Sequence, residues 1–434
     1  MGSDMAGPGD RFIIEGGRRI GGTVTVAGNK NEALPVLAAT LLLSEPVKIT
    51  NVPRIRDVET LLETMRLLGV VTEWTGPNEL HVDASKLSAE DPDPESAKKI
   101  RGSFLLAPPL LYRNARAVLP RPGGDKIGRR RVDTHLLALR ELGADAVIGD
   151  DYVLTLPGRR FAGADVFLDE ASVMATENAV MAAAVASGTT TIMNAASEPH
   201  VQGLCRALNA WGARIRGIGT NLLEIDGVPS LRAAPHRIGP DHIEIGSFVA
   251  LAAMTGGEIA IPDVEPRNLR MIRLVYARLG VEMRFEGTTL VVPGGQRPEV
   301  RCDVDGAVPK IDDATWPGFP ADLTSLAVVL ATQCVGTVLI HEKLFESRLF
   351  FVDNLIAMGA RIVLCDPHRA VVVGPAKLHG AVMASPDIRA GMALISAALC
   401  ATGRSVINNA HQVDRGYERI VERLSAVGAH IRRE

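Results

Sequence analysis

The sequence feature that most constrains the fold is an internal repeat with six copies. A phrase made of an apolar residue, a glycine and then Val or Ala ends six segments that have helical periodicity. Self-similarity at a near-constant period indicates repeated copies of one supersecondary unit. A glycine directly after a helix also suits a left-handed C-terminal cap. The six glycines are Gly69, Gly143, Gly212, Gly280, Gly359 and Gly428.

Each copy of the repeat predicts the same order of elements. A helix that is apolar nearly all round comes first, and that composition predicts burial. A β-rich run, an amphipathic helix such as the one over 57–68, and further strands follow. The unit therefore reads as β-α-β-α-β-β. The buried helices are predicted over 33–43, 104–112, 179–186, 248–254, 326–331 and 392–400.

Six such units divide into three plus three. We therefore predict an α/β fold with two domains, each an inside-out α/β barrel in which sheets surround three buried helices. The break is expected near 229–240, which is rich in Pro and Arg and lacks a strand pattern. A first strand over 12–27 is expected to join the C-terminal half. The predicted domains are 30–239 and a discontinuous domain made of 1–29 and 240–434; a plain repeat solenoid is the alternative.

The stretch over 119–135 combines a Gly-Gly bend with a dense group of cations and one acid, Asp125. Glycine-rich bends leave backbone N–H groups free to face an anion, and guanidiniums add forked donors. A carboxylate in that positive field is either a clamped structural ion or a working acid/base. The chain as a whole has a net charge of −3, and no aromatic residues interleave the arginines, so a nucleic-acid site is disfavoured. The cations are Arg121, Lys126, Arg129, Arg130 and Arg131.

Charged residues also precede several buried helices, notably Lys30, Asp322 and Arg389. Helix N-termini favour anions, so cations placed there indicate an anionic ligand between them. Each residue has an ordinary structural interpretation as well, as a helix cap, a solvated side chain or half of a local ion pair. Those interpretations are N-caps for Asp322 and Asp387, a solvated Lys30, and local pairs of Arg348 with Glu342 or Glu346 and of Arg415 with Asp414 or Glu418.

Composition and motifs limit the location and the cofactors. No apolar run is long enough to suggest a membrane span, and the N-terminus is polar without a signal pattern. Five scattered cysteines without CxxC spacing favour reduced thiols and a cytoplasmic protein. HExxH, GxGxxG and GxxxxGK[ST] motifs are missing, so we expect no metal and no cofactor.

With these features together, the chain from 11 to 433 resembles the enolpyruvyl transferase family. The resemblance implies transfer of the enolpyruvyl group of phosphoenolpyruvate to the 3-hydroxyl of UDP-N-acetylglucosamine, with release of phosphate, in peptidoglycan precursor synthesis. Another uridine nucleotide, such as UMP in nucleoside-antibiotic synthesis, is the alternative acceptor, and a non-catalytic binding scaffold is a third interpretation. The motifs are GNKNEALP (28–35), PGGDKIGRRRVDTH (122–135), SVMATEN (172–178), NAASEP (194–199), GFPADL (318–323), FESR (345–348), DIRAG (387–391) and DRGYER (414–419).

The resemblance also implies that 119–131 is a lid loop of the domain 30–239. It further implies roles for individual residues. Asp125 is expected to be the general acid and Asp322 the base, with Lys30 and Arg415 completing the catalytic set. The residues expected to bind phosphoenolpyruvate are Lys30, Asn31, Arg130, Arg348, Arg389 and Arg415. The residues expected to bind the acceptor are Arg101, Arg130, Arg131, Val132, Asp133, Thr134, Ser172, Val173, Asp322 and Leu344.

Four positions depart from the commonest pattern of the family. Asp125 stands where most members carry Cys, so we predict resistance to fosfomycin, which alkylates a thiolate. Glu170 and Met174 replace the usual Lys and Gly, which predicts a bulkier and less positive acceptor diphosphate subsite, and Arg131 replaces the usual Pro next to the uridine subsite. The expected partners are small molecules only, without nucleic acid or membrane, and the expected state is a monomer.

Overall fold

The chain, in a computed structural model, forms two compact units. The structure describes residues 10–88, 91–125 and 127–434, so the polar N-terminal segment and Lys126 of the predicted lid lie outside the described residues. The N-terminal unit comprises Gly28–Gly124 and Arg130–Gly239. The C-terminal unit comprises 10–27, Asp125–Arg129 and Pro240–Glu434, so the centre of the predicted lid groups with the C-terminal unit.

The helices follow the predicted alternation of buried and amphipathic segments. Short 3-10 helices precede or extend several of them, at Thr40–Leu42, Arg101–Leu106, Pro266–Leu269, Val304–Gly306, Ala321–Leu323 and Ala410–Arg415. The α-helices are α1 Lys30–Ala39, α2 Arg56–Leu67, α3 Pro94–Ala97, α4 Ala107–Asn114, α5 Asp133–Glu141, α6 Val173–Ala184, α7 Pro199–Ala210, α8 His242–Thr255, α9 Arg270–Arg278, α10 Thr324–Gln333, α11 Val352–Ala357, α12 Ile388–Cys400 and α13 Ile420–Ala426.

Within the described parts of the chain, the strands form three sheets in each unit. They are β1 Arg11–Glu15, β2 Gly21–Thr23, β3 Val47–Thr50, β4 Val71–Gly76, β5 Glu79–Asp83, β6 Arg116–Pro120, β7 Asp145–Ile148, β8 Asp151–Thr155, β9 Asp165–Phe167, β10 Thr189–Met193, β11 Arg214–Arg216, β12 Leu222–Asp226, β13 His236–Arg237, β14 Glu258–Ile261, β15 Arg284–Glu286, β16 Thr289–Val292, β17 Lys310–Asp312, β18 Gly336–His341, β19 Arg361–Asp366, β20 Arg369–Gly374, β21 Val382–Ala384, β22 Arg404–Asn408 and β23 His430–Arg433. The N-terminal unit holds sheets β13-β3-β5-β4, β6-β8-β7 and β11-β12-β10-β9. The C-terminal unit holds β15-β16-β14-β2, β17-β18-β20-β19 and β21-β22-β1-β23.

The pairing pattern confirms the repeat. In three sheets the chain runs from an edge strand through a buried helix to a parallel neighbour, as in β9–α6–β10, β17–α10–β18 and β21–α12–β22. Parallel neighbours require a crossover of this kind, whereas the antiparallel pairs that follow need only short turns. The predicted α/β fold built from β-α-β-α-β-β units is therefore confirmed.

The buried helices occupy the centre of each unit. Helices α8, α10 and α12 contact one another in the C-terminal unit, and α6 contacts both α1 and α4 in the N-terminal unit. Each group belongs to a separate hydrophobic core. The six repeat glycines, which follow α2, α5, α7, α9, α11 and α13, have φ between 83° and 102°. Their predicted role as left-handed helix caps is confirmed.

Two segments differ from the sequence prediction. The single strand predicted over 12–27 is two strands, β1 paired with β22 and β23, and β2 paired with β14. The chain turns at Gly16, where a Cβ would lie 2.2 Å from the backbone oxygen of Ala398, so no side chain fits. The break near 229–240 contains β13, which pairs with β3. A strand of two residues is too short to produce a detectable alternation of polar and apolar residues.

Helix length, thiol state and side-chain clustering bear on the predicted location and ligands. No helix in residues 10–88, 91–125 and 127–434 combines the length and apolar character needed to span a membrane. All five cysteines are free thiols. Among the described residues, no cluster of three or more His, Cys, Asp or Glu side chains could hold a metal ion.

Candidate active site

The centre of the charged cluster in the C-terminal unit is Asp322, which lies in the 3-10 turn ahead of α10. Its Oδ2 accepts hydrogen bonds from Nε and Nη2 of Arg389, at 3.0 and 2.9 Å, and its Oδ1 accepts one from Nη2 of Arg348 at 3.1 Å. Both arginine side chains are almost completely buried, at 3% exposure for Arg348 and 6% for Arg389. The carboxylate is thus the shared acceptor for two buried guanidiniums, a role that its position before a helix did not predict.

Arg389 is held in place from both of its ends. Asp387 caps α12 by accepting hydrogen bonds from the backbone N–H groups of Arg389 and Ala390, at 2.8 and 3.0 Å, so the N-cap interpretation of Asp387 is confirmed. Burial lowers the pKa of Arg389, but the neighbouring Asp322 and Tyr417 outweigh it and raise that pKa above its usual range. The buried Nη1 of Arg389 has no hydrogen-bond partner among the described residues. This N–H group can serve an anionic ligand.

Arg348 has three kinds of neighbour. Besides Asp322, its guanidinium faces the Phe345 ring, with 5.0 Å between Cζ and the ring centroid. Its Nε lies 3.9 Å from Oε2 of Glu342, a side chain with no exposed surface. Sequence reasoning proposed Glu342 only as a local partner of Arg348 and assigned it no part in the site.

Asp125 and Arg415 form an ion pair in the C-terminal unit. Arg415, at the end of the 3-10 helix Ala410–Arg415, donates from Nη1 to Oδ1 of Asp125 and to Oε1 of Gln412, the latter at 3.2 Å. The proposed local partner Asp414 binds Arg433 instead, with 3.0 Å between Nη1 and Oδ1. In the structure Asp125 is therefore a clamped ion.

Two glycines of the predicted lid are required by close contacts. A Cβ on Gly123 would lie 2.0 Å from the backbone oxygen of Lys98. Gly128 has φ of 134°, and a Cβ there would lie 2.0 Å from Oε2 of Glu346. The same Oε2 accepts a hydrogen bond from the backbone N–H of Arg129 at 3.2 Å. The backbone of this loop is thus held by specific contacts that exclude side chains at both glycines.

Lys30 is the first residue of α1 in the N-terminal unit. Its Nζ lies 2.6 Å from Oδ2 of Asp57, and both side chains are buried. Asn29 caps the helix by accepting from the backbone N–H groups of Asn31 and Glu32. The interpretation of Lys30 as a solvated lysine is wrong, because burial beside an acid holds its amine in a defined position. Asp57 was not identified from the sequence.

Arg101 binds the backbone of the loop that leads into α5. Its Nη1 donates to the backbone oxygen of Arg130 at 3.0 Å, and its Nη2 donates to that of Arg131 at 2.7 Å. Burial, together with the charge of Arg130, lowers the pKa of Arg101 to about 10. Its guanidinium therefore supports the loop that carries the next predicted acceptor residues.

Asp169 links the remaining predicted acceptor residues of the N-terminal unit. It accepts from Nη2 of Arg131 at 3.0 Å and from Oγ1 of Thr134 at 2.7 Å, and Glu170 lies 3.6 Å from the same arginine nitrogen. The starts of α5 and α6 provide the other members, with Val132 and Ser172 as cap residues and Asp133 and Val173 as first helical residues. Leu344 lies in the C-terminal unit and is exposed. Asp169 was not found from the sequence, because an acid in a loop carries no pattern of its own.

The chain matches the family described as EPSP synthase (3-phosphoshikimate 1-carboxyvinyltransferase) over residues 14–424. It is 55% identical over 420 residues to a UDP-N-acetylglucosamine 1-carboxyvinyltransferase of Treponema denticola, covering 97% of this chain and 98% of the relative. A relative with the same name from Bradyrhizobium diazoefficiens is 56% identical over 423 residues, covering 98% of each chain.

Solved structures give the same grouping. The crystal structure of the enolpyruvyl transferase NikO from Streptomyces tendae matches with a TM-score of 0.87 and 27% identity, covering 98% of this chain and 99% of the other. An EPSP synthase from Acinetobacter baumannii shares the fold, with a TM-score of 0.74 and 18% identity over 98% of this chain and all of the other. Sequence and fold agree over almost the whole chain, and this protein therefore belongs to the enolpyruvyl transferase family.

Proposed function

We propose that the protein transfers the enolpyruvyl group of phosphoenolpyruvate to the 3-hydroxyl of UDP-N-acetylglucosamine and releases phosphate. The observation that carries the proposal is the pair of buried guanidiniums that share Asp322. Relatives named as UDP-N-acetylglucosamine 1-carboxyvinyltransferase, more than half identical over nearly their full length, support the acceptor. We further propose that the activity serves peptidoglycan precursor synthesis in the cytoplasm, by a monomer without metal or cofactor.

The donor is a small molecule with two anionic groups, and the cations fit that chemistry. Guanidiniums bind phosphate and carboxylate through paired N–H donors, and burial strengthens these contacts. Arg389 and Arg348 are both buried, and Nη1 of Arg389 has no hydrogen-bond partner among the described residues. We assign donor binding to these two residues together with Lys30, Asn31, Arg130 and Arg415.

The reaction requires one proton donor and one proton acceptor. Protonation of the donor methylene by Asp125 produces an electrophilic carbon, and the acceptor hydroxyl adds to that carbon while Asp322 takes its proton. The carboxylate of Asp125 then takes a proton back from the methyl group while the tetrahedral adduct expels phosphate, which forms the enol ether of the acceptor. Fixed guanidiniums stabilise the phosphate and carboxylate through both steps.

The ion pair between Asp125 and Arg415 must break before the first step of the reaction. To act as the acid, Asp125 must be released from Arg415 and take up a proton from solvent. The anionic groups of phosphoenolpyruvate compete with Asp125 for Arg415. Donor binding thus frees Asp125 at the step that needs it. In this proposal residues 119–131 are the lid of the domain 30–239. Arg415 belongs to the discontinuous domain made of 1–29 and 240–434.

A second acceptor, UMP, is favoured by one observation. Glu170 of the predicted diphosphate subsite is paired with Arg131, which also binds Asp169, so protein acids already neutralise the cation beside this subsite. A subsite with little free positive charge favours an acceptor with one phosphate over one with a diphosphate. In either case the acceptor contacts are assigned to Arg101, Arg130 to Thr134, Ser172, Val173, Asp322 and Leu344.

The test is a measurement of phosphate release from phosphoenolpyruvate with UDP-N-acetylglucosamine or UMP, with the mass of the nucleotide product determined in parallel. We expect release and a mass gain equal to one enolpyruvyl group with the UDP-sugar. Release with UMP alone would replace the acceptor in the proposal. Release with neither would indicate a non-catalytic scaffold.

A further inference from the structure

Glu342 is a buried acid that the proposed reaction does not use. It follows β18, its side chain has no exposed surface, and its Oε2 lies 3.9 Å from Nε of Arg348. Neither of these two atoms has a hydrogen-bond partner among the described residues. A carboxylate and a guanidinium that are both charged close to about 2.8 Å. The wider separation is what an uncharged carboxyl group beside Arg348 would produce.

A second buried acid stabilises the uncharged form. Burial, and then the charge of Asp313, which is also fully buried, raise the pKa of Glu342. A like charge nearby disfavours the ionised form of a carboxyl group. Asp313 meanwhile accepts from the backbone N–H groups of Lys343 and Leu344, and Oε1 of Glu342 accepts from that of Phe345 at 3.2 Å. The pair therefore fixes the turn that presents Phe345 to Arg348.

Burial and the charge of Asp313 together raise the pKa of Glu342 to about 8, with Arg348 opposing them. The other titratable or charged groups around the pair are few. His368 contacts the backbone oxygen of Glu342 through Nδ1 at 2.8 Å, and Lys343 binds Asp312 through Nζ at 2.8 Å. Arg348 is faced by Asp322 and Asp387 on its other sides. At neutral pH Glu342 is therefore mostly uncharged.

We propose that Glu342 is a positioning residue for the enolpyruvyl donor: its uncharged carboxyl group supports Arg348 from behind, so that the charge of the guanidinium stays directed at Asp322 and at the donor anion. This inference rests on the proposed function, in which Arg348 binds phosphoenolpyruvate. When Glu342 ionises, its Oε2 and the Nε of Arg348 close into an ion pair. That contact draws the guanidinium back and weakens donor binding as pH rises through 8.

The test is the pH dependence of KM for phosphoenolpyruvate at saturating acceptor. Loss of binding on ionisation of one group near pH 8 raises KM about tenfold between pH 7 and pH 9. Glu342→Gln has a side chain of the same shape that cannot ionise, so its KM should change less than about twofold over that range. The matched control is Glu286→Gln, an exposed glutamate of β15 in the same unit, which should follow the wild type.

Two further variants separate positioning from folding. Asp313→Asn removes the acid that raises the pKa of Glu342, so the rise in KM should move to lower pH. Glu342→Ala removes the support at every pH, so its KM should already be raised at pH 7. Thermal melts identify any variant that fails to fold. If Glu342→Gln does not fold, the shift of the KM profile in Asp313→Asn is the deciding measurement.

The outcomes are distinct. A flat KM in the wild type, an equal rise in Glu342→Gln, or an unshifted rise in Asp313→Asn would overturn the inference and leave the proposed function standing. An enzyme that turns over no acceptor at any pH would overturn the proposed function, and the inference with it.

Discussion

The ion pairs of the predicted site arginines differ in solvent exposure between the two units. In the C-terminal unit, Arg348 and Arg389 are nearly buried and share one acid, Asp322. In the N-terminal unit, Arg131 is 37% exposed and has two exposed acids, Asp169 and Glu170. Removing one partner of a buried pair leaves a charge without solvent, whereas water replaces the partner of an exposed pair. In the buried cluster, therefore, a substrate anion can replace Asp322 as the partner of the two arginines, whereas water cannot.

The largest expected effect comes from Asp322→Ala. Breaking a buried ion pair costs about 3 kcal/mol of stability, and loss of the proposed base lowers kcat by roughly 10²–10⁴. Chemical denaturation and steady-state kinetics measure the two quantities. Asp322→Asn, which keeps the shape, should recover part of the stability without recovering kcat.

The control for this variant is Asp366→Ala, which removes an acid paired with Arg369 on an exposed sheet surface of the same unit. We expect its unfolding free energy and kcat to be nearly those of the wild type. An equal loss of stability in the two alanine variants would refute the comparison, because burial would then make no difference.

An intermediate effect is expected at Asp125, whose pair with Arg415 is partly exposed. Asp125→Ala should lower kcat by roughly 10²–10⁴ while changing the melting temperature little, since Arg415 regains solvent. Asp125→Cys should retain activity and form a covalent adduct with fosfomycin, detected by mass spectrometry, because a thiolate is the stronger nucleophile. A stoichiometric fosfomycin adduct on Asp125 of the wild type would show that the predicted resistance is wrong.

The smallest effect is expected at the exposed ion pairs of Arg131 with Asp169 and Glu170. Arg131→Gln should leave the melting temperature unchanged, and KM for the acceptor should change less than about fivefold. Glu170→Lys adds a cation beside the predicted diphosphate subsite, so KM for UDP-N-acetylglucosamine should fall while KM for UMP changes less. A fall of the same size for both nucleotides would remove the argument that this subsite selects against a diphosphate.

Much of the fold follows from periodicity alone. The apolar helices, the strands after them and the glycine caps recur along the chain, and these elements lie where the pattern predicts them. The pattern failed at 12–27 and at β13, where the segments complete sheets built mainly by distant parts of the chain. A strand that depends on a remote partner needs little local signal.

The candidate site divides in the same way. The residue types that bind an anion could be selected from the sequence, because Lys30, Arg348, Arg389 and Arg415 recur near buried helices in different repeats. Their counterions could not be selected. Asp57, Glu342 and Asp169 are ordinary acids in sequence and acquire a role only through the cation that the fold brings to them.

By itself, the sequence determined the repeat, the fold class, the family and the residue types of the site. These features can be read from short stretches of neighbouring residues. Only the tertiary structure decided which carboxylate faces which guanidinium, and which of these pairs is buried. The physical reason is that the energy of a charge depends on its solvent exposure and on neighbours from remote segments. Asp322 and Asp387 illustrate this: both precede a buried helix, yet Asp387 caps its helix while Asp322 joins two arginines.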